Sequence, residues 1–356
     1  MKLPRIAFLK ALNIAKPALA SKELILEMTH YWFTGDSIIA YDDKIGIEVP
    51  FKTDFSGGLQ GRLLLGILEK SAAKEVELIE GERNSEMVLR CGNARANLAL
   101  LDPKRIIWQF PKYDERDAFA VDKDFVSILS DMLICVGQNV SVPDTLGVTF
   151  EPSYRDEEWL DLYSTDNSTI AWARLDLPQH YNAKRCCIPE EFCRQLIAIC
   201  KSKGSMLVED DCVMALLDEG VKLYGRLVDV PRPEDFAEKI DEVVPNPDRL
   251  VEIPNRFKMA IERVSVVIEH IPGEPCEVSI DDENVLRLYA KAVDYGEIRD
   301  AIRLKGDHEE VSSWFDPALI KRGVDNRTEM FISQDALVMR GPENYYMLIQ
   351  TADRRR

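Results

Sequence analysis

Glu86-Met87-Val88-Leu89-Arg90-Cys91-Gly92-Asn93-Ala94-Arg95-Ala96-Asn97-Leu98 reads as two short alternating runs joined at a glycine, the pattern of a β-hairpin. The hairpin extends over Val76 to Leu100, and it recurs as Ser205 to Val228 around Gly220 and Thr328 to Ile349 around Gly341. The three glycines stand 128 and 121 residues apart. A second landmark, an alternating run after an acidic turn, recurs with them at Asp36 to Val49, Glu157 to Leu175 and Asp282 to Leu304. A helical stretch precedes each landmark, so each third of the chain repeats one unit of helix, paired strands, helix, paired strands.

Three such units in 356 residues match ordinary domain sizes, and a hydrophobic content of 46% suffices for several cores. Pro111 to Asp117 and Pro245 to Arg249 are polar, proline-led segments that read as linkers, giving domains 1–113, 114–247 and 248–356. Pro178 to Cys187 reads as a polar loop, and Ala352 to Arg356 as a frayed tail. No apolar run approaches the ~20 residues of a membrane span, and the start lacks a secretory cleavage pattern. Eight cysteines without a CxxC pair read as free thiols in the cytoplasm.

The net charge of −17 argues against a nucleic-acid partner until its distribution is considered. Six helical windows (2–19, 59–74, 122–136, 190–203, 254–263 and 317–327) hold 17 Lys or Arg against 8 Asp or Glu. With a balance of +9 on the helices, the rest of the chain carries −26. Apolar stripes such as Ile6, Leu9, Leu12 and Leu64, Leu65, Ile67, Leu68 separate a packed face from a charged one; Phe192, Leu196, Ile199 and Phe257, Ile261, Val264 do the same. A single basic helix face is ordinarily just solvated. Five of six together predict a basic surface that touches phosphates without reading bases. The window 122–136 departs from this, with Lys123 alone against Asp122, Asp124 and Asp131. The residues expected at DNA are Lys10, Lys16, Arg62, Lys70, Lys74, Arg194, Lys201, Lys203, Arg256, Lys258, Arg263, Lys321 and Arg322.

Catalytic patterns are weak. His30, His180, His270 and His308 stand apart from any patterned partner. Gly57-Gly58-Leu59-Gln60-Gly61-Arg62 lacks the Gly-Lys-Ser/Thr ending of a phosphate loop. Glu209-Asp210-Asp211 and Asp281-Asp282-Glu283 sit where strand turns are expected, and Cys193 and Cys200 lie on an apolar helix face. The expectation is a protein that is not an enzyme and holds no cofactor or metal.

Three segments carry a resemblance to a known family. Leu227-Val228-Asp229 followed by Ile240-Asp241-Glu242-Val243-Val244-Pro245-Asn246-Pro247-Asp248 is similar to an interdomain link, and Ile253 to Ser265 to a helix that opens a third domain. Thr165-Asp166-Asn167-Ser168-Thr169-Ile170-Ala171 stands in the place of a Thr-Asp-Gly-His-Arg-Leu-Ala turn. By their order and spacing the chain resembles the bacterial DNA polymerase III beta-subunit sliding clamps, as a divergent cellular or phage form. The resemblance implies an α+β DNA clamp fold of three repeated domains, each with two inner helices on antiparallel sheets. A head-to-tail homodimeric ring around double-stranded DNA would then confer processivity on a polymerase, in the cytoplasm of the cell or viral host.

It further implies a pocket for short peptide motifs of the polymerase and clamp loader, walled by Thr165, Asp166, Ile170, Val243, Tyr346, Met347, Leu348 and Ile349. Asn167-Ser168-Thr169 replaces the family's Gly-His-Arg, and Gln350 to Arg356 replaces its short ending, so the client motif is expected to differ. A dimer contact is implied at the edge strand carrying Ala96 and Leu98 and at the helix carrying Val266 and Val267. Ala96 is smaller than the aromatic expected there. A clamp-fold scaffold recruiting transcription or repair factors is the alternative.

Overall fold

A computed structural model describes the chain except for residues 23, 84, 138–140, 143–144, 154–157, 178–180, 182–184, 230–239, 241–242, 245–248, 272, 326, 343–344 and 353–356. The linker at 245–248, much of the 178–187 loop, His180 and the tail beyond residue 352 therefore lie outside the described residues. Six α-helices are described: α1 (Arg5–Ala15), α2 (Gly61–Glu69), α3 (Lys123–Met132), α4 (Glu190–Ile199), α5 (Phe257–Ile268) and α6 (Pro317–Gly323). They fall in the six windows read from sequence.

The acidic-turn landmarks form antiparallel hairpins: Ser37–Tyr41 with Ile45–Pro50, Trp159–Thr165 with Thr169–Asp176, and Val285–Ala292 with Gly296–Arg303. Each glycine landmark is a three-stranded meander, one strand more than a hairpin. The first comprises Glu75–Glu80, Glu86–Cys91 and Ala94–Leu101, the second Gly204–Val208, Cys212–Leu216 and Lys222–Arg226, and the third Glu329–Ile332, Ala336–Arg340 and Tyr345–Gln350. At the first, Gly92 takes φ +62°, a left-handed conformation that costs glycine little and tightens the turn into Ala94.

The chain packs as two compact units, Met1–Leu129 with Pro178–Val228, and Ser130–Leu177 with Asp229–Arg356. In the first, twelve strands form one sheet. Its continuity depends on Lys222, Leu223, Tyr224 and Gly225 pairing with Glu48, Ile47, Gly46 and Ile45, which joins the middle third of the sequence to the first. In the second, Thr169 to Ala173 pair with Ile349 to Tyr345 and join the middle third to the last, while a separate four-stranded sheet ends in the edge strand Gly296–Arg303.

Phe8, Ala11, Leu12 and Ala15 are the buried stripe of α1. This corrects the stripe read through Ile6, whose side chain is 73% exposed. Spacings of three and four starting from Phe8 bury the larger apolar surface, and its ring meets Phe33 and Phe51 at 6.1 and 5.4 Å. In α2 Leu64, Leu65 and Leu68 are buried, and in α5 Phe257, Ile261 and Val264, as their periodicity requires. All eight cysteines are free thiols, and burial pushes those of Cys135 and Cys276 up to about 12.

Candidate nucleic-acid and peptide interfaces

Of the thirteen cations expected at DNA, twelve are exposed and Lys321 is half-buried. Several lie just outside helices: Lys16 in a 3-10 turn after α1, Lys70 and Lys74 past α2, Lys201 and Lys203 past α4, and Arg256 at the start of α5. Cations beyond a helix C-terminus complement the carbonyl end of its dipole.

Six of the thirteen have an acidic partner. Lys10 meets Glu219 at 3.0 Å, Lys16 meets Glu69 at 3.8 Å, and Arg194 pairs with Glu190 one helical turn away. Lys258 meets Asp325 and Arg263 meets Asp300, each at 2.5 Å, and Arg322 meets Asp166 at 2.6 Å. The other seven, Arg62, Lys70, Lys74, Lys201, Lys203, Arg256 and Lys321, have no ion pair with a described residue. Exposed pairs of this kind contribute ~0–1 kcal/mol, so most of the paired cations can exchange a carboxylate for a phosphate at little cost.

Arg322 is different. Its Nη2 also donates to Thr169 Oγ1 at 3.0 Å, and Asp166 Oδ1 accepts from Ser168 N, Thr169 N and Thr169 Oγ1 at 3.0, 2.8 and 2.8 Å. Asn167 takes φ +70° at the apex, and Thr165 Oγ1 both donates to Thr169 O at 2.7 Å and accepts from Asn167 N at 3.0 Å. Partial burial pushes the Asp166 carboxyl upward, but donors on Arg322, Thr169 and Ser168 outweigh it and hold the group below the ordinary carboxylate range. The turn is thus locked by a charge-assisted network.

That turn leads into an apolar face of the second unit. Trp172 lies opposite Tyr346 and Ile170 opposite Leu348 in the strand register. The Trp172 and Tyr346 rings stack at 5.2 Å with 25° between planes. Buried Tyr163, Ile240, Val338, Tyr346 and Leu348 form the floor, and half-buried Ile170, Trp172, Val243, Val244 and Phe331 pack against it. Asp161 anchors the Trp172 indole N–H at 3.1 Å and the Arg174 guanidinium at 2.8 and 3.0 Å. Arg174 lies 5.2 Å over the Trp172 ring.

Of the expected walls, Ile170, Val243, Tyr346 and Leu348 come together here. Met347 and Ile349 alternate to the opposite, fully buried face. Thr165 is buried within its turn, and Asp166 faces Arg322. Sequence reasoning missed Trp172, Tyr163 and Phe331, whose signal is cross-strand register: once Tyr346 is placed, its neighbour on the next strand is Trp172.

At the expected dimer contact, Leu98 is 4% exposed and belongs to the core, while Ala96 is half-buried and Val266 is 60% exposed on α5. The strand Ala94–Leu101 pairs with Glu86–Cys91 on one side; on the other, Leu101 and Leu100 alone pair, with Gly58 and Leu59. Ala94 to Ala99 therefore form an open edge among the described strands. Gly296–Arg303 is a second open edge, paired with Val285–Ala292 alone. No group of three or more His, Cys, Asp or Glu among the described residues is arranged to hold a metal ion.

No protein-family model matches the chain, and no curated protein does. Solved structures do match over its whole length. The DNA polymerase sliding clamp of Bacillus subtilis is 19% identical with a TM-score of 0.84, each chain covered to 99%. The DNA polymerase III beta-subunit sliding clamp of Bartonella birtlesii, bound to griselimycin, is 18% identical with a TM-score of 0.84 and the same coverage. The beta subunit of Thermotoga maritima is 16% identical with a TM-score of 0.80, covering 99% of this chain and 98% of that one. At these identities the likeness establishes that the chain has the DNA clamp fold.

Proposed function

We propose that this chain is a DNA sliding clamp, two copies of which close head to tail into a ring around duplex DNA and tether a polymerase. The observation that carries the reading is the full-length match to sliding clamps, in which neither chain has a substantial part left over. The three sequence repeats, 1–113, 114–247 and 248–356, are its three clamp domains per copy.

Each structural element has a task in this reading. The open edge at Ala94 to Ala99 and the open edge Gly296–Arg303 extend one another's sheets between copies, with Ala96 and the α5 residues Val266 and Val267 beside the seam. A heterologous contact of this kind closes a ring when its rotation permits. The unpaired cations meet phosphates through weak, exchangeable contacts blind to sequence, so the ring slides. Chemistry is not required, because a closed ring leaves DNA by opening or at an end. The face around Trp172 and Tyr346 receives a short apolar peptide from the polymerase or the loader, with Ile170, Val243 and Leu348 as its side walls.

Retention on DNA tests the reading. Protein assembled on nicked circular DNA, then separated by gel filtration at moderate salt, is expected to stay with the circle and to leave after linearisation. Equal loss from circular and linear DNA would overturn the ring.

A further inference from the structure

Two exposed apolar features in different units have complementary shape and charge. The first is a groove of about 810 Å³ in the first unit, where Leu63, Gly66 and Ile67 of α2 face Ala72, Ala73 and Ala94. Leu63 is 51% exposed although its helix is otherwise well packed. Arg62 and Lys70, neither in an ion pair with a described residue, line the same groove. The second feature is the turn between the strands Val285–Ala292 and Gly296–Arg303. It presents Val293 at 94% and Tyr295 at 63% exposure, with the exposed carboxylate of Asp294 between them. A Val and a Tyr held outward on a tight turn are an unusual use of surface, and an aromatic side chain is among the largest sources of burial energy at interfaces.

The strand edges connect the two features. Gly296–Arg303 begins one residue after Tyr295. The open stretch Ala94 to Ala99 ends where Leu100 and Leu101 pair with Leu59 and Gly58, two residues before α2 starts at Gly61. Antiparallel pairing of these two edges from different copies sets the beginning of one strand against the end of the other. The overhanging turn then arrives at the Leu63 end of the groove, with Asp294 beside Arg62.

We infer that Val293 and Tyr295 of one copy seat in the α2 groove of a second copy, as an apolar latch beside the paired strand edges, with Asp294 against the basic rim. The latch rests on the ring reading above. It supplies at the seam the large apolar side chain that Ala96 does not.

The test is sedimentation equilibrium of the full chain with Tyr295→Ala, Leu63→Glu and Leu63→Lys, together with a benzoylphenylalanine photocrosslinker at position 293. Tyr295 is exposed on a turn, so its replacement leaves the fold intact. The latch predicts a dimer whose dissociation constant rises at least about tenfold in Tyr295→Ala. It predicts a larger loss in Leu63→Glu, which faces Asp294 with a like charge, than in Leu63→Lys. Crosslinks from position 293 should fall within residues 60–73 of the other copy. A dimer indifferent to Tyr295→Ala, with crosslinks elsewhere, overturns the latch and leaves the ring standing. A wild-type monomer at all concentrations overturns both.

Discussion

Arg322 and Asp166, 156 residues apart in sequence, meet at 2.6 Å between Nη2 and Oδ2. A cation expected at DNA is thereby committed to holding the turn that borders the Trp172 and Tyr346 face. Asp166 satisfies three local donors with one oxygen and Arg322 with the other, so the turn and α6 are fixed relative to each other within one unit.

Asp166→Ala leaves those donors unmatched and is expected to cost about 1–3 kcal/mol of stability, measured by urea unfolding. The pH dependence has a definite sign. Because the folded carboxyl is held below its ordinary value of 3.8, its contribution is present above that value and is lost as pH falls through the folded pKa. Asp166→Asn should remove that acid-side loss; a variant whose stability falls in acid as steeply as the wild type's would exclude Asp166 as the source.

Charge reversal separates the paired cations from the free ones. Replacing Lys70, Lys74, Lys201 and Lys203 with Glu should weaken retention on DNA more than replacing Lys10, Lys16, Lys258 and Arg263, whose charges carboxylates already offset. Each phosphate contact removed should lower the slope of log affinity against log salt by about 0.9. Equal effects from the two sets would mean that the ion pairs open freely on binding.

Trp172 lies half-buried against Tyr346 and is poised to report on a bound peptide. Trp172→Ala is expected to weaken binding of an apolar client peptide by about 2 kcal/mol, some thirtyfold, and the wild-type tryptophan emission should shift on titration. Binding unaltered by the substitution would place the peptide elsewhere.

Alkaline conditions act through the buried thiols. Burial pushes Cys135 and Cys276 up to about 12, and with nearby Asp211 and Glu209 it does the same for Cys212. Folded pKa values above the unfolded value of 9.0 mean that the benefit is intact below pH 9 and is lost as pH rises toward 12. The melting temperature should fall across that window. Cys135→Ser, Cys212→Ser and Cys276→Ser should together flatten the fall.

The repeat, the six helices and the hairpins were legible because each has a local cause. Alternation of period two marks Ser37–Tyr41 and Val285–Ala292, glycine marks the turn at Gly92, and spacings of three and four mark α2 and α5. What sequence concealed depends on partners distant along the chain. Nothing near Lys10 announces Glu219, and nothing near Arg322 announces Asp166. Met347 and Ile349 follow from the rule of alternation only once the face used by Tyr346 is known. The twelve-stranded sheet was also beyond local reading, because its central junction pairs Ile45 with Gly225.

That junction gives the first unit a mechanical character. Four consecutive residue pairs, from Lys222 with Glu48 to Gly225 with Ile45, make the first and middle thirds of the sequence one plate without a seam. A load applied along it is shared across rungs that must break together, so the plate resists shear far better than a flexible linker would. In a ring assembled from such plates, a loader pulling on one copy would find no weak point at this junction. Strain would pass through to the contacts between copies, which would part first and re-form behind the DNA.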